Sequence, residues 1–590
     1  MLTPQNTHKE IQAVIDAGGT VEFAPGIYEN AHYRINGSVH LVGNGATLVG
    51  GRRIKWQWVK DIFVHEGEQC EDTGPCNSER NTKKILCCDV PGHQPLRSLV
   101  VNGELRSRCR LPESGYLQHA NVFDAVWRGS SEGGWDRKPT DEELLSMRVP
   151  EGALDGLTLD SAEVTIVHSW SDSMVRIVQA KDNVITYDMP AENPAGSFGV
   201  KNYCLWNVPE AFKSAGTFYH DTAAGKLYYR PLEGETEDTA AYLPEQASIF
   251  YAEEAISGVE IEGFTLVGTE PPHVLAGFGA QQITGAIEFK DVSDIKVHDM
   301  TITAVGGHGI HVTGAAENAE VADCLIFGVG AGGVTIHSRK DAAKSEVHDC
   351  HIHHVGMYYP SAQAISVGNC NLRHNYIHHT SYSAIGCGGE DFIVEKNFIH
   401  DTMIVLNDGA AVYSFGAQRG ILSNNLVYGI RTKKGHHLRI AYYLDELTNG
   451  WLVEHNVALD CDYPNHNHMC GNHTYRENIF VNTKAHILCN MLRAKWKNRY
   501  VGNVFSAAGE VFIRMKAEDL ETFENNRYYS KSGKIIQSLL VGAEMVGDRP
   551  FEEISDTNKL IEQVQFDKDQ RIFTVENLTI DLTDVGPRQK

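Results

Sequence analysis

Short runs of β-branched and aromatic residues recur along the chain, each broken by glycine, asparagine or aspartate. Their length and composition favour strands over helices. One position of the pattern, an asparagine or cysteine followed by alternating apolar residues, returns at Cys324, Cys350, Asn375, Asn397, Asn425, Asn456, Asn478, Asn503 and Asn526. The steps between these anchors are 26, 25, 22, 28, 31, 22, 25 and 23 residues. Such a period predicts one supersecondary unit stacked many times.

Repeated strands without long helices between them argue against an alternating α/β arrangement. The pattern predicts an all-β fold, a right-handed parallel β-helix whose coils of about 22–25 residues lie about 4.8 Å apart. The recurring asparagine would form a ladder at an inward turn, with each amide bonding its own coil and the neighbouring coils. The apolar residues two positions after the anchor are expected to stack in the core: Ile302, Ile326, Ile352, Ile377, Ile399 and Val427.

The repeat is interrupted between residues 51 and 251, where alternating apolar and polar runs appear without the coil period. We predict an N-terminal cap with the first coils (1–50), an inserted β-sandwich (51–251), a main β-helix (252–530) and a C-terminal cap (531–590). Extra residues in a solenoid often gather on its binding face. The two longest steps flank Asn425, so these coils are expected to carry the functional site.

The formal net charge of −24 argues against nucleic acid or an anionic membrane as a partner. The N-terminus lacks the apolar run of a signal peptide, and no stretch approaches the length of a membrane span. The thirteen cysteines lie mostly in strand runs, which is typical of reduced core thiols. We therefore expect a cytoplasmic protein, and the composition leaves homo-oligomer formation open.

Two aspartates in the longest coils are candidate catalytic groups. Asp408 lies in the segment Asn-Asp-Gly-Ala and Asp445 in the segment Tyr-Leu-Asp-Glu. Asn-Asp-Gly is also typical of turns, so a structural role for Asp408 competes with a functional one. Glycoside hydrolysis commonly uses two carboxyl groups, one to protonate the leaving oxygen and one to attack carbon or activate water. Because the two aspartates differ in register, their order of roles and the stereochemistry stay open.

Further residues are expected to line the cleft and bind the substrate: Glu390, Tyr413, Arg439, His353, His378 and His437. A stacked polar ladder on an outer face is predicted for the residues three positions after successive anchors, which are His353, His378, His400 and Tyr428. A hydrogen-bonded stack without chemistry and a metal site are alternative explanations of this ladder. Because no standard metal motif is present, we predict neither a metal nor another cofactor.

The chain resembles a known family at these motifs. Residues 18–28 are similar to the start of pectate-lyase-like β-helix proteins. Residues 101–112 and 218–229 look like the β-sandwich inserted in glycoside hydrolases of families 120 and 141. The segments around Asp408 and Asp445 are similar to the acidic motifs of that group. The resemblance implies a β-helix glycosidase related to β-xylosidases, α-fucosidases or xylanases.

Three hypotheses follow for the function. The first is an exo-acting glycosidase of short oligosaccharides that uses Asp408 and Asp445. The second is a polysaccharide lyase or uronate epimerase, which needs a cation or metal to neutralise the uronate carboxylate and a His, Lys, Arg or Tyr base. The candidates for that group are Lys433, Lys434, His436, His437 and Arg439. The third is a non-catalytic carbohydrate-binding solenoid.

Overall fold

The computed structural model describes residues 1–63, 84–92, 94–431, 438–482, 486–491, 496–507, 511–514, 520–530, 535–541, 544–550, 564–567, 572–575 and 578–588. The chain forms a parallel β-helix, as its repeat predicts. From Val334 onward each coil contributes up to three strands, and the stacks that they form are named faces A, B and C in chain order.

Face A carries the longer strands and follows the widest loops. Its strands are Val334–Ser338, Ile365–Gly368, Ile385–Gly388, Gly409–Ser414, Arg439–Leu444, Tyr463–His468, His486–Met491, Val511–Arg514 and Ile535–Val541. Face B consists of Ser345–His348, Cys370–Arg373, Ile393–Glu395, Ile421–Ser423, Leu452–Glu454, Thr474–Arg476, Asn498–Val501 and Leu520–Glu524. Neighbouring strands within each face pair in parallel, as expected when each coil repeats the path of the last.

Face C is a single sheet of 13 strands. They are Gly26–Tyr28, Ala46–Val49, Thr265–Val267, Thr301–Thr303, Leu325–Phe327, His351–Val355, Tyr376–Thr380, Phe398–His400, Leu426–Tyr428, Val457–Leu459, Ile479–Asn482, Val504–Ala507 and Arg527–Ser530. The first coils also contribute Gly19–Glu22, Tyr33–Arg34, Val39–Val42, Phe250–Ala252 and Ile256–Glu262. Two long strands, Gly285–His298 and His308–Ala322, run through the positions of faces A and B.

The predicted core stack is confirmed. Ile302 pairs with Ile326, and the series continues strand by strand through Ile352, Ile377, Ile399 and Val427. All six side chains are fully buried. The inward stack therefore follows from the sequence period alone.

The asparagine ladder is confirmed as well. The Nδ2 atom of Asn425 donates to Asn456 Oδ1 at 2.9 Å and to the carbonyl of Val394 at 2.9 Å. Its Oδ1 atom accepts from the backbone and the side chain of Asn397 at 3.0 and 2.9 Å. Each amide thus satisfies buried backbone groups on its own and adjacent coils, which keeps the turn between faces B and C uniform.

The region between Val49 and Phe250 interrupts the solenoid without changing its path. Phe250–Ala252 pairs with Tyr33–Arg34, and Thr265–Val267 pairs with the strand that precedes the interruption. The described residues of this region form three largely antiparallel sheets. The first sheet contains Gly51–Arg53, Val100–Val101, Glu104–Leu105 and Ala241–Pro244. The second contains Gln57–Lys60, Lys84–Asp89, Ser107–Arg108, Thr217–Asp221 and Lys226–Tyr229. The third contains Arg110–Leu111, Leu117–Gln118, Ser146–Arg148, Glu163–Val167, Asp172–Lys181, Val184–Tyr187 and Asn202–Trp206. We call this region the insert.

Among the described residues, helices are few and short. The helix His8–Asp16 begins the chain, and Thr7 caps it in a reciprocal box with Glu10. Asp141–Leu145 is a second α-helix, and short 3-10 turns occur at Ser130–Glu132, Ser197–Gly199, Pro209–Ala211 and Phe278–Ala280. None of the helices in the described part of the chain has the length and apolar character needed to cross a membrane.

The C-terminal segment contributes Glu544–Pro550, which pairs antiparallel with the last strand of face A. A separate small sheet holds Val564–Asp567, Ile572–Val575 and Leu578–Asp581. Farther on, Leu582 and Val585 pack against face C strands. The tail therefore lies along the side of the solenoid as well as at its end.

Candidate active site

The site lies on face A, where three neighbouring strands carry acidic, tyrosine and histidine residues. Asp408 directly precedes Gly409–Ser414, and Asp445 directly follows Arg439–Leu444. In the pairing of these strands Tyr413 lies opposite Tyr443. The two aspartates thus bracket a pair of tyrosines at opposite ends of adjacent strands, rather than stacking directly on each other.

A cavity of about 410 Å³ opens between face A and the insert. Its lining combines acidic groups, hydroxyls and aromatic rings, which come from Trp127, Arg128, Gly129, Ser130, Trp170, Phe278, Tyr382, Asp408, Tyr413, Phe415, Tyr443, Asp445, Glu446 and His468. This volume lies toward the small end of the range of ligand pockets, and polar groups converging in an apolar cavity are typical of a substrate site.

Asp445 accepts two short hydrogen bonds within the cavity. The Tyr413 hydroxyl donates to Oδ2 at 2.8 Å, and Nδ1 of His468 donates to Oδ1 at 2.8 Å. Although burial acts the other way, this hydrogen bond and the neighbouring carboxylates raise the pKa of His468. The two donors hold the Asp445 carboxyl group in one orientation.

Asp408 has a different environment. Its side chain is partly exposed and lines the cavity, and the Tyr443 hydroxyl is 3.5 Å from its Oδ1 atom. Burial, followed by the charge of Asp445, raises the pKa of Asp408 to about 7. The Tyr382 hydroxyl fixes the backbone by donating to the Asp408 carbonyl at 2.8 Å. Asp408 therefore holds a proton that it can release near neutral pH.

The insert is clamped onto the solenoid beside these aspartates. The backbone N–H groups of Ser130 and Ser131 donate to the two carboxylate oxygens of Glu446 at 2.9 and 2.7 Å, and the Ser131 hydroxyl adds a third bond. Despite burial, these bonds lower the pKa of Glu446. Gly129 has φ 125°, and a Cβ there would lie 3.1 Å from the Glu446 carboxylate. The loop therefore depends on glycine at this position.

Aromatic rings form much of the remaining wall. Trp127 and Trp170 come from the insert, where Phe198 packs against both rings at centroid distances of 5.6 and 4.1 Å. Phe278 and Phe415 come from the solenoid side, and each exposes 37 % of its surface. Exposed rings in a cavity offer flat apolar faces on which a sugar ring can stack.

Of the residues predicted to bind substrate, Tyr413 alone lines the cavity among those that the structure describes. Glu390 forms ion pairs outside the cavity with Lys340 and Arg419, at 2.8 and 2.7 Å. Arg439 is buried at the start of its strand and donates to the Ile404 carbonyl at 3.2 Å. Both charged side chains therefore have hydrogen-bond or ion-pair partners outside the cavity.

His353 and His378 lie on face C, so the structure places them apart from the two aspartates. Their rings stack in parallel at 4.8 Å, and His400 continues the stack at 4.9 Å. The predicted polar ladder is therefore confirmed, but its members do not line the cavity. His437, together with Lys433, Lys434 and His436, lies outside the described residues.

Potential metal ligands within the cavity are Asp445, Glu446 and His468, whose ligand atoms lie within 4.8 Å of one another. These atoms already have strong partners, since His468 bonds Asp445 and the insert loop bonds both oxygens of Glu446. In this structure the donor set is a hydrogen-bonded unit.

The sequence interpretation missed most of the cavity wall. Trp127, Trp170 and the Glu446 clamp join segments about 300 residues apart, and no local spacing indicates such contacts. A weak signal was present, because the insert has several tryptophans in loops rather than in strand runs. Glu446 directly follows Asp445, in a segment that the sequence analysis had already selected.

Comparison with known proteins gives a structural match but no match of sequence. No family model and no curated protein matches the chain. A solved structure described as a glycoside hydrolase is 18 % identical, with a TM-score of 0.55 over 80 % of this chain and 90 % of its own. The two proteins share a fold. This result agrees with the β-helix architecture implied by the resemblance in the sequence.

Two further solved structures align less well. One is XylC in complex with xylose, with 12 % identity and a TM-score of 0.38 over 90 % of this chain and 83 % of its own. The other is the catalytic domain of a GH87 α-1,3-glucanase, with 9 % identity and a TM-score of 0.32 over 75 % and 92 %. These scores are too low to establish a common fold.

Proposed function

We propose that the protein is a glycoside hydrolase of short, neutral oligosaccharides, with Asp408 as general acid and Asp445 as nucleophile or general base. The observation that carries the proposal is one cavity that holds two carboxyl groups in contrasting environments. Such a contrast separates a proton donor from an anionic partner at the same pH. The shared fold with a structure described as a glycoside hydrolase supports the same class of reaction.

Asp408 supplies the proton in this mechanism. With its pKa raised to about 7, Asp408 can carry the proton near neutral pH. Transfer of that proton to the glycosidic oxygen converts a poor alkoxide leaving group into an alcohol. The anion that remains on Asp408 then lies near the Tyr443 hydroxyl, which can donate to it.

Asp445 acts at the anomeric carbon. Tyr413 and His468 hold both of its oxygens, so the carboxylate is oriented before substrate binds. From this position it either attacks the carbon, which gains a bond to Oδ as the glycosidic bond breaks, or takes a proton from the attacking water. Burial and the carboxylate charges raise the pKa of Tyr413 well above its usual value, so its hydroxyl keeps its proton throughout.

The charge of the cavity favours a neutral substrate. Asp408, Asp445 and Glu446 line it, against the basic side chains Arg128 and His468. A uronate carboxylate would approach three acidic groups, which disfavours lyase or epimerase chemistry. Arg439, which the lyase hypothesis used, is buried outside the cavity. The other basic residues of that hypothesis lie outside the described residues.

The size of the cavity and its wall from the insert favour a short substrate. A volume of about 410 Å³ holds only a small number of sugar rings, and the loop of Trp127 closes one side. The clamp between Glu446 and the Ser130–Ser131 backbone keeps that loop in place. An exo-acting enzyme that removes a terminal sugar fits this shape better than one that cleaves within a long polymer.

The test is a panel of aryl glycosides with the untagged protein: β-xyloside, α-arabinoside, α-fucoside, β-galactoside and a glucuronide, each with and without EDTA. We expect phenol release from a neutral glycoside, insensitive to EDTA, and none from the matched Asp445→Asn variant. A proton NMR spectrum of the first sugar anomer released would assign retention or inversion. Release from the glucuronide alone, or an unsaturated uronate product, would overturn the proposal.

A further inference from the structure

Face C carries a cluster of imidazoles that the proposed reaction does not use. His351 and His353 lie on one strand, separated by the inward-facing Ile352, and His378 lies on the next strand opposite His353. All three imidazoles are partly exposed. One ligand nitrogen from each lies within 4.8 Å of the others. Three nitrogen donors from two coils are thus brought to one point of the outer surface.

The distances suit a single ion. The Nε2 atoms of His351 and His378 are 2.9 Å apart, and the His353 and His378 rings stack in parallel at 4.8 Å. Two imidazoles bound to a tetrahedral zinc ion at about 2.1 Å place their nitrogens about 3.4 Å apart. Small rotations of these partly exposed side chains are enough to reach that spacing, because one pair of ligand nitrogens is 2.9 Å apart and all three lie within 4.8 Å of one another.

The Nδ1 atoms of His353 and His378 already have hydrogen-bond partners, an arrangement that resembles the outer shell of a metal site. Nδ1 of His353 bonds Nδ1 of His354 at 2.8 Å, and Nδ1 of His378 bonds Nδ1 of His379 at 2.7 Å. When a metal-binding histidine uses its second nitrogen in a hydrogen bond, the tautomer and ring orientation are fixed. Here the arrangement leaves the Nε2 atom of His378 facing the Nε2 atom of His351, 2.9 Å away.

The donor set narrows the kind of ion. Three imidazole nitrogens without a carboxylate favour late first-row divalent ions such as zinc, nickel or copper over magnesium or calcium.

We propose that His351, His353 and His378 form a binding site for one late first-row transition-metal ion, with solvent in the remaining coordination position. The ion would link two neighbouring coils of face C. The site is separate from the cavity, since none of the three histidines lines it. Glycosidase activity that is insensitive to EDTA is therefore compatible with metal binding here.

The test is calorimetric titration of ZnCl₂ into the untagged, EDTA-treated full chain. We expect one ion per chain and a loss of affinity of at least about 100-fold in His351→Gln and His378→Gln, more than an outer-shell change causes. A Cu²⁺ electron paramagnetic resonance spectrum should show nitrogen hyperfine coupling in the wild type that disappears in the same variants. His353→Gln gives an independent measurement if either variant folds poorly by circular dichroism.

Two matched controls decide between alternatives. His455→Gln replaces an exposed histidine on another coil and should leave zinc affinity unchanged. His379→Gln tests a second group, since His354, His378 and His379 also lie within reach of one ion. A loss in His379→Gln without a loss in His351→Gln would overturn the assignment. Zinc binding that is equal in all variants, or absent from the wild type, would overturn the site itself.

Discussion

Faces A and C belong to one solenoid, but the stacking of coils produces a regular ladder on face C and a cavity on face A. On face C the residue type repeats in register, so His353, His378 and His400 contact one another at 4.8–4.9 Å and form a ladder. On face A the repeat is broken by long loops, and Asp408 and Asp445 lie at opposite ends of paired strands beneath the insert. Regular stacking gives polar side chains partners on the neighbouring coils. Where long loops interrupt the repeat and the insert covers the face, polar side chains are instead directed into a cavity.

Burial acts on both faces but with opposite consequences for chemistry. It disfavours charge, so it lowers the pKa of His378 to about 2 and raises that of Asp408 to about 7. Both groups are held toward their neutral forms. Only the aspartate carries a proton that can be donated near neutral pH, which is why we assign proton transfer to face A.

The largest expected effect comes from removing the two carboxylates. Asp408→Asn should lower kcat/KM on a disaccharide by about 10²–10⁴-fold, because a positioned proton donor contributes this much. On an aryl glycoside whose phenol is strongly acidic the loss should be at least about tenfold smaller, since that leaving group needs little protonation. Asp445→Asn should lose activity on both substrates. Steady-state kinetics on the two substrates measures the difference.

The control for this experiment is Asp391→Asn, the same substitution at an exposed turn where Asp391 pairs with Arg419. It should retain wild-type rates. If Asp408→Asn were equally impaired on both substrates while Asp445→Asn showed the leaving-group dependence, the two roles would have to be exchanged.

The second effect is on stability and has a defined pH window. The folded pKa of Asp408 is raised from 3.8 to about 7, so its contribution to stability is present below about pH 4 and is lost as the pH rises through 7. Ionisation of Asp408 in its folded environment costs stability at high pH, and Asp408→Asn removes that cost. The increase in the free energy of unfolding caused by Asp408→Asn should therefore be up to about 4 kcal/mol larger at pH 8 than at pH 4. Thermal midpoints at both pH values check this, and an equal shift at both would contradict it.

The third prediction concerns the ladder that makes the coils regular. Asn425→Ala leaves the Val394 carbonyl and the Asn397 N–H without their side-chain partner in a buried turn. Since each unsatisfied buried group costs about 1–3 kcal/mol, we expect a loss of at least about 2 kcal/mol. Urea unfolding measures it, with the exposed Asn36→Ala as control. A loss no larger than in the control would mean that water replaces the amide.

Structural features that depend on the repeat period could be predicted from the sequence. Features that depend on contacts between distant segments could not. The Ile302–Val427 stack and the asparagine and histidine ladders follow from spacing, because each coil must repeat the path of the last. Asp408 and Asp445 were predicted from local motifs, and both line the cavity. The Glu446 clamp and Trp127 depend on how the insert docks, which no repeat encodes. Glu390 and Arg439 had the right chemistry but are held elsewhere by local partners.

The smallest expected effect compares one aromatic ring on each face. Phe415 exposes 37 % of its surface in the cavity, one residue beyond the strand that carries Tyr413. Phe327 is also partly exposed, but it stacks on His353 of face C at 5.1 Å. If stacking on Phe415 holds a sugar ring, Phe415→Ala should raise KM about three- to tenfold, since an aromatic contact is worth about 0.5–1.5 kcal/mol.

Because the contact is made in the ground state and the transition state alike, kcat should change little. Phe327→Ala removes a ring of the same size from the other face and should leave both constants unchanged, although it loosens the end of the histidine ladder. Initial-rate measurements on the neutral aryl glycoside that the wild type cleaves give both values. An equal rise of KM in the two variants would show that the rings act through coil stability rather than through the cavity, and the functional distinction between faces A and C would then fail for substrate binding.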